Sequence, residues 1–366
     1  MPQSVLSSHC ARLARPLASA AAALACCAAL VLASPSAARA APPPCAGNQI
    51  CGLKNPEDFV RVPGSQWAIA SRLARDPAAP AFSLVDLKRR TARALVPDFS
   101  GHASAAYTDC PGPPAASGLI THGLDIRRRP GGAAELFAVN HGGRQSIEVF
   151  DIGLRREGPT LKWKGCVILS AAMSDDANAV AALPDGLVVT SFGTPGPKGL
   201  AAVLAGRPGG FVERWTPHQG WARVAGSGFG GDNGVAASAD GRELYVNDWG
   251  DGTLRVISLR GGSSPGIIRL GGFHADNLHW LPDGRLLIAG QVGTPRDILL
   301  GCSSDAACAV GSMIVIVDPR SRQVVWRRAV PPTATFAAAS TALRYGSNYW
   351  LSSYRGDRVV CVGPAP

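Results

Sequence analysis

The chain has 366 residues, of which 46% are hydrophobic and 17% charged, and its formal net charge is +10 at neutral pH. Its basic runs, at residues 88–90, 127–129, 155–156 and 327–328, are scattered, which argues against a nucleic-acid-binding module and an amphipathic membrane helix. Glycine (43 residues) and proline (29 residues) are abundant, and stretches with helical periodicity are scarce. The composition therefore favours strands and turns.

The N-terminal segment has the three parts of a secretory signal peptide. Arg12 and Arg15 form a basic start, residues 17–33 are apolar, and the small residues of 38–40 suit a cleavage site. We therefore predict a signal peptide at residues 1–40, cleavage after Ala40, and a periplasmic or secreted location. Residues 41–366 contain no stretch apolar enough to span a bilayer, and we expect them to form one domain.

A sequence motif of about fifteen residues recurs six times along the mature chain. In each copy a polar or acidic residue is followed by a short apolar run, a tight turn and a second apolar run. The copies begin at Asn55, Thr121, Ala177, Asp232, Ala275 and Ser340, at intervals of about 40 to 70 residues. Periods of this size with an internal hairpin are typical of propeller blades. The sequence predicts an all-β fold, a six-bladed β-propeller with a central channel.

Oxygen-bearing side chains stand at the head of four of the six copies. Inner propeller strands start at the channel mouth, so these side chains are expected to converge there; they are Glu57, Asp58, Asn178, Asn233, Asp276 and Asn277. Such hard ligands suit calcium better than zinc or copper. Asn and Asp are also common turn formers at strand starts, but their recurrence in four copies favours a central metal-binding channel.

Taken together, the copies resemble the calcium-dependent paraoxonase/arylesterase family, within the wider group of SMP-30/gluconolactonase-like propellers. The resemblance runs from about Pro56 to Cys361. The matching segments are PED at 56–58, HG at 122–123, VNH at 139–141, NAVAALPDG from Asn178, DNGVAASADGRELYV from Asp232 and DNLHWLPDG from Asp276. The resemblance implies a catalytic Ca²⁺ held by Glu57, Asn178, Asn233, Asp276 and Asn277. It also implies a second, structural Ca²⁺ near Asp58, but Ala179 stands where the family has an aspartate, which removes one ligand of that second site.

The resemblance assigns His122 as a general base with His141 as its partner, and their separation of 19 residues fits neighbouring strands of one blade. A metal-polarised carbonyl and an imidazole base suit hydrolysis of a lactone or an aryl or activated ester. Alternatively, Asp276 is the base or nucleophile, and His122 only hydrogen-bonds a loop. His274 and His279 flank the Asp276–Asn277 pair and are candidates for lining the pocket.

Two classes of function remain at this point. One is the calcium-dependent hydrolase of small lactones or esters, and the other is a non-catalytic periplasmic propeller whose calcium is structural and whose mouth binds a ligand or partner. The histidine pair favours the enzyme, since a structural calcium needs neither imidazole. We expect a monomer with no nucleic-acid partner. Residues 194–210 form an insertion in the third blade, either a lid over the mouth or a flexible loop.

Seven cysteines remain once the predicted signal peptide is removed, and an oxidising compartment makes them candidates for disulfides. Cys302 and Cys308 frame a small loop and are expected to pair. Cys110 and Cys166 are a second candidate pair. The resemblance ties the last strand to the N-terminus, which implies a bridge from Cys361 to Cys45 or Cys51, with one cysteine left over.

Overall fold

The strands form six antiparallel four-stranded sheets in a computed structural model. The structure describes residue 45 and residues 47–364, apart from 74, 75, 77, 108, 174, 175, 194–196, 262–264 and 303–307. The described residues belong to the compact unit Pro43–Pro366. In five of these sheets the four paired strands are consecutive in the chain, and in the sixth β1 (Gln49–Cys51) pairs with the last strand, β24 (Arg358–Pro364). Each predicted repeat is therefore the start of one blade. The fold is the expected six-bladed β-propeller.

Blades 1 to 3 follow the chain in order from the inner strand outward. Blade 1 contains β2 Phe59–Arg61, β3 Trp67–Ala70, β4 Phe82–Asp86 and β5 Thr91–Leu95. Blade 2 contains β6 Thr121–Arg128, β7 Ala134–Asn140, β8 Ser146–Arg155 and β9 Gly158–Ile168. Blade 3 contains β10 Ala177–Leu183, β11 Gly186–Ser191, β12 Phe211–Thr216 and β13 Gly220–Arg223.

Blades 4 to 6 complete the ring, and the last one takes its outermost strand from the N-terminal side. Blade 4 contains β14 Asp232–Ala237, β15 Glu243–Asp248, β16 Thr253–Ser258 and β17 Gly266–Arg269. Blade 5 contains β18 His274–Trp280, β19 Leu286–Val292, β20 Gly311–Asp318 and β21 Gln323–Val330. Blade 6 contains β22 Ala339–Tyr345, β23 Asn348–Ser353, β24 Arg358–Pro364 and β1 Gln49–Cys51.

The few helical segments lie between strands. The α-helix α1, Pro197–Leu204, connects β11 to β12, and a turn of π-helix at Asp297–Gly301 connects β19 to β20. Short 3-10 turns occur at Ala116–Gly118 and Pro130–Gly132. Within the described residues, no helix is long and apolar enough to cross a membrane.

Contacts between the inner strands close the ring. Each inner strand contacts the inner strand of the next blade, and β22 contacts β2, so that blade 6 meets blade 1. The pairing of Gln49 with Val360 places the N-terminal strand β1 at the outer edge of blade 6. Sharing the last blade between the two ends of the chain fastens the ring, as expected for strands that must hide their edges.

Apolar side chains fill the spaces between neighbouring blades rather than one central core. Six hydrophobic clusters each combine residues of two adjacent blades. Between blades 1 and 2, for example, Phe82 meets Phe150 edge-to-face and Trp163 is buried beside them. The alternating apolar faces of the strands therefore pack blade against blade, which leaves the strand starts free to carry polar groups at the axis.

The structure confirms two of the predicted disulfides and corrects the third. Cys302–Cys308 and Cys110–Cys166 are bonded as expected. The predicted bridge from Cys361 to the N-terminal segment is wrong, because Cys45 and Cys51 bond to each other and leave Cys361 as the free thiol. Backbone pairing of β1 with β24 makes the terminal connection instead. Disulfide bonds indicate an oxidising compartment; the predicted signal peptide at 1–40 lies outside the described residues.

We predict that Trp163→Ala lowers the free energy of unfolding by about 3–5 kcal/mol, the usual cost of removing a large buried aromatic side chain. The substitution also removes the indole N–H donor to Glu148, 2.8 Å away. Leu154→Ala, at an exposed position of the same blade, is the matched control. Urea unfolding followed by tryptophan fluorescence measures both, and equal stability losses in the two variants would contradict packing between blades as the source of stability.

Candidate functional site

Irregular starts of the inner strands place the predicted site residues. In blades 2 to 5, the pairing between the first and second strands shifts register across His122–Gly123, Asn178–Ala179, Asn233–Gly234 and Asp276–Asn277. Blade 6 has the same kind of shift around Ser340. A β-bulge redirects side chains out of the regular alternation. The polar residue in each bulge is thereby turned towards the channel, while the rest of the strand stays in the apolar packing.

Small residues beside the site residues let the inner strands come close together. A Cβ atom at Gly123 would lie 2.5 Å from the carbonyl oxygen of Asn178. One at Gly234 would lie 2.4 Å from the carbonyl oxygen of Asp276. The glycines in the HG and DNG motifs are thus required by strand packing at the axis, and they bring the donors of neighbouring blades together.

The predicted metal ligands are buried and several of them contact one another. Asn277 Nδ2 donates to Glu57 Oε1 at 2.5 Å, which joins blade 5 to blade 1. The side chain of Asn233 hydrogen-bonds to Asp276, which joins blade 4 to blade 5. Asn178 is 8% exposed and the other four are less so. The structure therefore brings together residues that are up to 220 positions apart in the chain.

Three oxygen atoms of this set lack a hydrogen-bond partner in the part of the chain that the structure describes: Glu57 Oε2, Asn178 Oδ1 and Asn233 Oδ1. An unsatisfied buried polar atom costs about 1–3 kcal/mol, so three in one site call for a common partner. All three are lone-pair acceptors, which is what a hard cation requires. The donor chemistry fits calcium, with two carboxylates and three amides.

The electrostatics of the site point the same way. Burial, followed by the negative charges of Asp276 and Asp58, raises the pKa of Glu57 well above its ordinary value. Burial and the charge of Asp58 raise the pKa of Asp276 to about 7. Among the described residues no group of three or more His, Cys, Asp or Glu side chains is arranged to hold a metal, so a cation at this site would need the amide oxygens as ligands.

The two predicted histidines form a hydrogen-bonded pair. His122 lies at the start of β6 and His141 directly after β7, and His122 Nδ1 is 3.1 Å from His141 Nε2. The other ring nitrogen of His141, Nδ1, is 2.8 Å from Gln145 Oε1, and this contact fixes the orientation of the ring. His122 Nε2 lies 3.7 Å from Glu57 Oε2. Burial and the neighbouring imidazole of His141 lower the pKa of His122 to about 3, although Asp58 and the carbonyl of Ala177 oppose this.

Asp58, the candidate ligand for a second metal, is fully engaged by protein donors. Its Oδ1 accepts from Thr341 at 3.0 Å and is 2.7 Å from His279 Nε2, and its Oδ2 accepts from the Leu124 backbone at 2.7 Å. Burial alone would raise its pKa, but His279 and the backbone donors outweigh burial and hold the pKa below its ordinary value. Asp58 thus links blades 1, 2, 5 and 6, and a second metal here stays a prediction.

Side chains that position the ligands were not found from the sequence. Gln291 on β19 donates to Asp276 Oδ2 at 2.6 Å and accepts from the indole of Trp249 at 2.9 Å. Ser340 donates to the carbonyl oxygen of Glu57 at 2.5 Å, and Asn247 to that of Asp276 at 2.6 Å. Gln291 and Asn247 are polar residues near the end of an apolar second strand, which is easily taken for the start of a loop, whereas Ser340 stands at the head of the sixth copy of the repeat.

An aromatic cluster packs next to the axial residues, because Trp249 donates to Gln291, which in turn donates to Asp276. The His274 ring lies 4.3 Å from that of Trp249, which meets Phe192 edge-to-face at 5.4 Å. Val203 of α1 and Ile298 of the π-turn are buried in the same cluster as Trp249. The insertion at 194–210 is therefore not a plain loop: its described part carries the helix α1, which packs into this cluster through Val203. His279 lies on the far side of Asp58 and contacts that residue rather than the mouth.

No protein-family model and no curated protein sequence matches this chain. Solved structures share its fold at low identity. A luciferin-regenerating enzyme aligns over 85% of this chain and 92% of its own, with 10% identity and a TM-score of 0.51. Regucalcin, a calcium-binding protein from Agrobacterium tumefaciens, aligns over 86% and 91% with 12% identity and a TM-score of 0.48. An oxidoreductase (glucose dehydrogenase) from Thermus thermophilus aligns over 86% and 98% with 15% identity and a TM-score of 0.46. At these identities the likeness shows the propeller fold alone.

We predict that Gly234→Ala lowers the melting temperature by several degrees and displaces both Asn233 and Asp276. The added methyl group would meet backbone at 2.4 Å, so the two inner strands must separate. Gly209→Ala is the control, since no atom lies within 4 Å of its added Cβ. Differential scanning fluorimetry measures both variants, and an unchanged melting temperature for Gly234→Ala would show that the strands are not packed this closely.

Proposed function

We propose that this protein is a calcium-dependent hydrolase of lactones or of aryl and other activated esters. The observation that carries the proposal is the combination of unpartnered ligand oxygens and a histidine pair at one channel mouth. The resemblance of the ordered motifs to paraoxonases supports the same function.

The proposed calcium ligands are Glu57, Asn178, Asn233, Asp276 and Asn277. Together they offer two negative charges, enough to balance one divalent cation. A calcium ion with open positions supplies Lewis-acid polarisation of a carbonyl group and stabilises negative charge on its oxygen. The protein contributes a buried, rigid arrangement of donors, since each ligand is held by the strand packing or by a neighbouring side chain.

His122 is the proposed general base. If Gln145 Oε1 accepts the Nδ1 proton of His141, then His141 Nε2 is an acceptor and takes a hydrogen bond from His122 Nδ1–H. That order leaves the lone pair of His122 Nε2 directed to the side of Glu57, where a water can be deprotonated. Burial keeps His122 neutral, with a pKa of about 3, which leaves the ring unprotonated but makes it a weak base. The proposed role therefore requires that the carboxylate of Glu57, 3.7 Å from Nε2, stabilises the imidazolium as it forms. His141 orients the ring and does not contact the substrate.

The half-buried rings of Phe192 and His274, which pack against the buried Trp249 close to Asp276, favour a substrate with an apolar or aromatic part. Aromatic rings stack favourably with one another, which suits an aryl ester. The same surface suits the aliphatic chain of a lactone, because burial of apolar area does not depend on a particular ring geometry.

The direct test is hydrolysis of phenyl acetate and of a medium-ring lactone by the purified mature protein. We predict that EDTA abolishes the activity and that added calcium restores it. Protein that is folded and calcium-bound but inactive on both substrate classes would contradict the hydrolase proposal and favour the non-catalytic propeller. Activity that persists in EDTA would instead contradict the role of the metal.

We further predict that His122→Gln lowers kcat by about 10²–10⁴-fold, the usual contribution of a positioned general base, and leaves calcium affinity nearly unchanged. His218→Gln, which alters an exposed histidine in the turn after β12, is the control. Steady-state kinetics and calcium titration measure both properties. Full activity in His122→Gln would assign the base to another group, Asp276 being the next candidate.

A further inference from the structure

A cavity opens at the opposite end of the inner strands from the proposed calcium ligands. Its volume is about 570 Å³, and it is lined by the ends of the inner strands β2, β6, β18 and β22. Trp280 lies four residues beyond Asp276 on β18, which corresponds to about 13 Å along an extended strand. The contact of His279 with Asp58 at 2.7 Å lies between the two ends. The cavity is therefore separate from the hydrolase mouth.

Three arginines give the cavity a positive rim: Arg61, Arg128 and Arg344. Arg61 is held in place, because its Nε and Nη2 donate to the carbonyl oxygen of Ser65 and its guanidinium lies 5.3 Å from the Tyr345 ring centre. Arg128 is exposed and, within the described residues, has no hydrogen-bond or ion-pair partner. A guanidinium group binds carboxylates through paired N–H donors.

The acidic groups nearby do not cancel this charge. Asp125, the carboxylate in the cavity lining, is capped by the backbone N–H groups of Ile126 and Ala182, each at 2.8 Å. Asp283 lies 2.7 Å from Arg285 and 3.9 Å from Arg344, so it serves mainly Arg285. The rim therefore retains a net positive charge.

The walls of the cavity are apolar and one of them is a rigid aromatic. Trp280 is 38% exposed, yet its indole is fixed by donation to the Ala237 carbonyl at 2.7 Å and by an edge-to-face contact with Tyr245. Phe59 and Leu343 line the opposite side. An exposed but immobilised tryptophan beside basic side chains is the arrangement expected for a ligand with an apolar body and an anionic end.

We propose that this cavity binds a small amphipathic carboxylate, with its apolar part against Trp280 and Leu343 and its carboxylate at Arg128 and Arg61. The site is distinct from the hydrolase site and does not depend on the proposed catalytic activity.

Isothermal titration calorimetry of the full mature protein with 2-naphthoate tests the proposal. We expect one site, no measurable binding of the neutral 2-naphthamide, and about a 10-fold weaker dissociation constant in Arg128→Gln, as for the loss of one charged hydrogen-bonding group. Arg260→Gln, which removes an exposed arginine from a turn of blade 4, should leave the affinity unchanged. Ester hydrolysis should be the same in all of these proteins.

Equal binding of the amide, or no effect of Arg128→Gln, would overturn the proposal. Phe192→Leu at the hydrolase mouth distinguishes the two ends of the channel. If that variant weakens naphthoate binding and Arg128→Gln does not, the compound binds at the hydrolase mouth and the second site is wrong. If the wild-type protein binds naphthoate as expected but hydrolyses neither phenyl acetate nor the lactone, only the proposed catalytic function is contradicted.

Discussion

Two buried carboxylates at the axis of the ring, those of Glu57 and Asp276, set the central constraint of this structure. Burial raises the pKa of both groups; the charges of Asp276 and Asp58 add to the shift of Glu57, and the charge of Asp58 adds to that of Asp276. The site is therefore unfavourable to free negative charges. Hydrogen bonds from Asn277 and Gln291 satisfy only part of the carboxylate surface. A divalent cation that accepts the remaining lone pairs would resolve the constraint, and within the described part of the chain the side-chain oxygens of Asn178 and Asn233 lack a hydrogen-bond partner.

The fold makes this concentration of polar groups tolerable. Apolar packing lies between blades, where the six clusters are found, so the axis does not have to supply a hydrophobic core. Bulges turn the polar residues inward, and glycines such as Gly234 let the strands approach closely enough for contacts between blades. The pairing of β1 with β24 closes the ring that holds these strands in place.

Much of the fold and of the candidate site could be predicted from the sequence, because each repeat copy indicates both a blade and the polar residues at its channel end. The turn in each copy marks a hairpin, and the residues before the apolar run mark the channel end of each inner strand. The pairing of His122 with His141 followed from their spacing and the family resemblance. Positioning residues such as Gln291 and Ser340 could not be predicted, because they act across blades and the sequence does not show which strands face each other.

The disulfide at the N-terminus shows a similar limit. Cys45 and Cys51 are both close enough in the chain to bond each other and near enough in space to β24 to make a bridge to Cys361 plausible. The structure pairs Cys45 with Cys51, six residues away in the chain. Likewise, Asp58 looks like a metal ligand in the sequence, but the approach of His279 from blade 5 gives it a protein partner that only the folded ring reveals.

Calcium titration of the chelator-treated protein by calorimetry tests the central claim most directly. We expect one calcium per chain in the wild-type protein. In Asn233→Ala, calcium binding should be abolished or weakened by at least 100-fold, while circular dichroism shows that the propeller is still folded. A wild-type protein that binds no calcium, or an Asn233→Ala variant that binds it with full affinity, would contradict the assignment of the axial oxygens as a metal site.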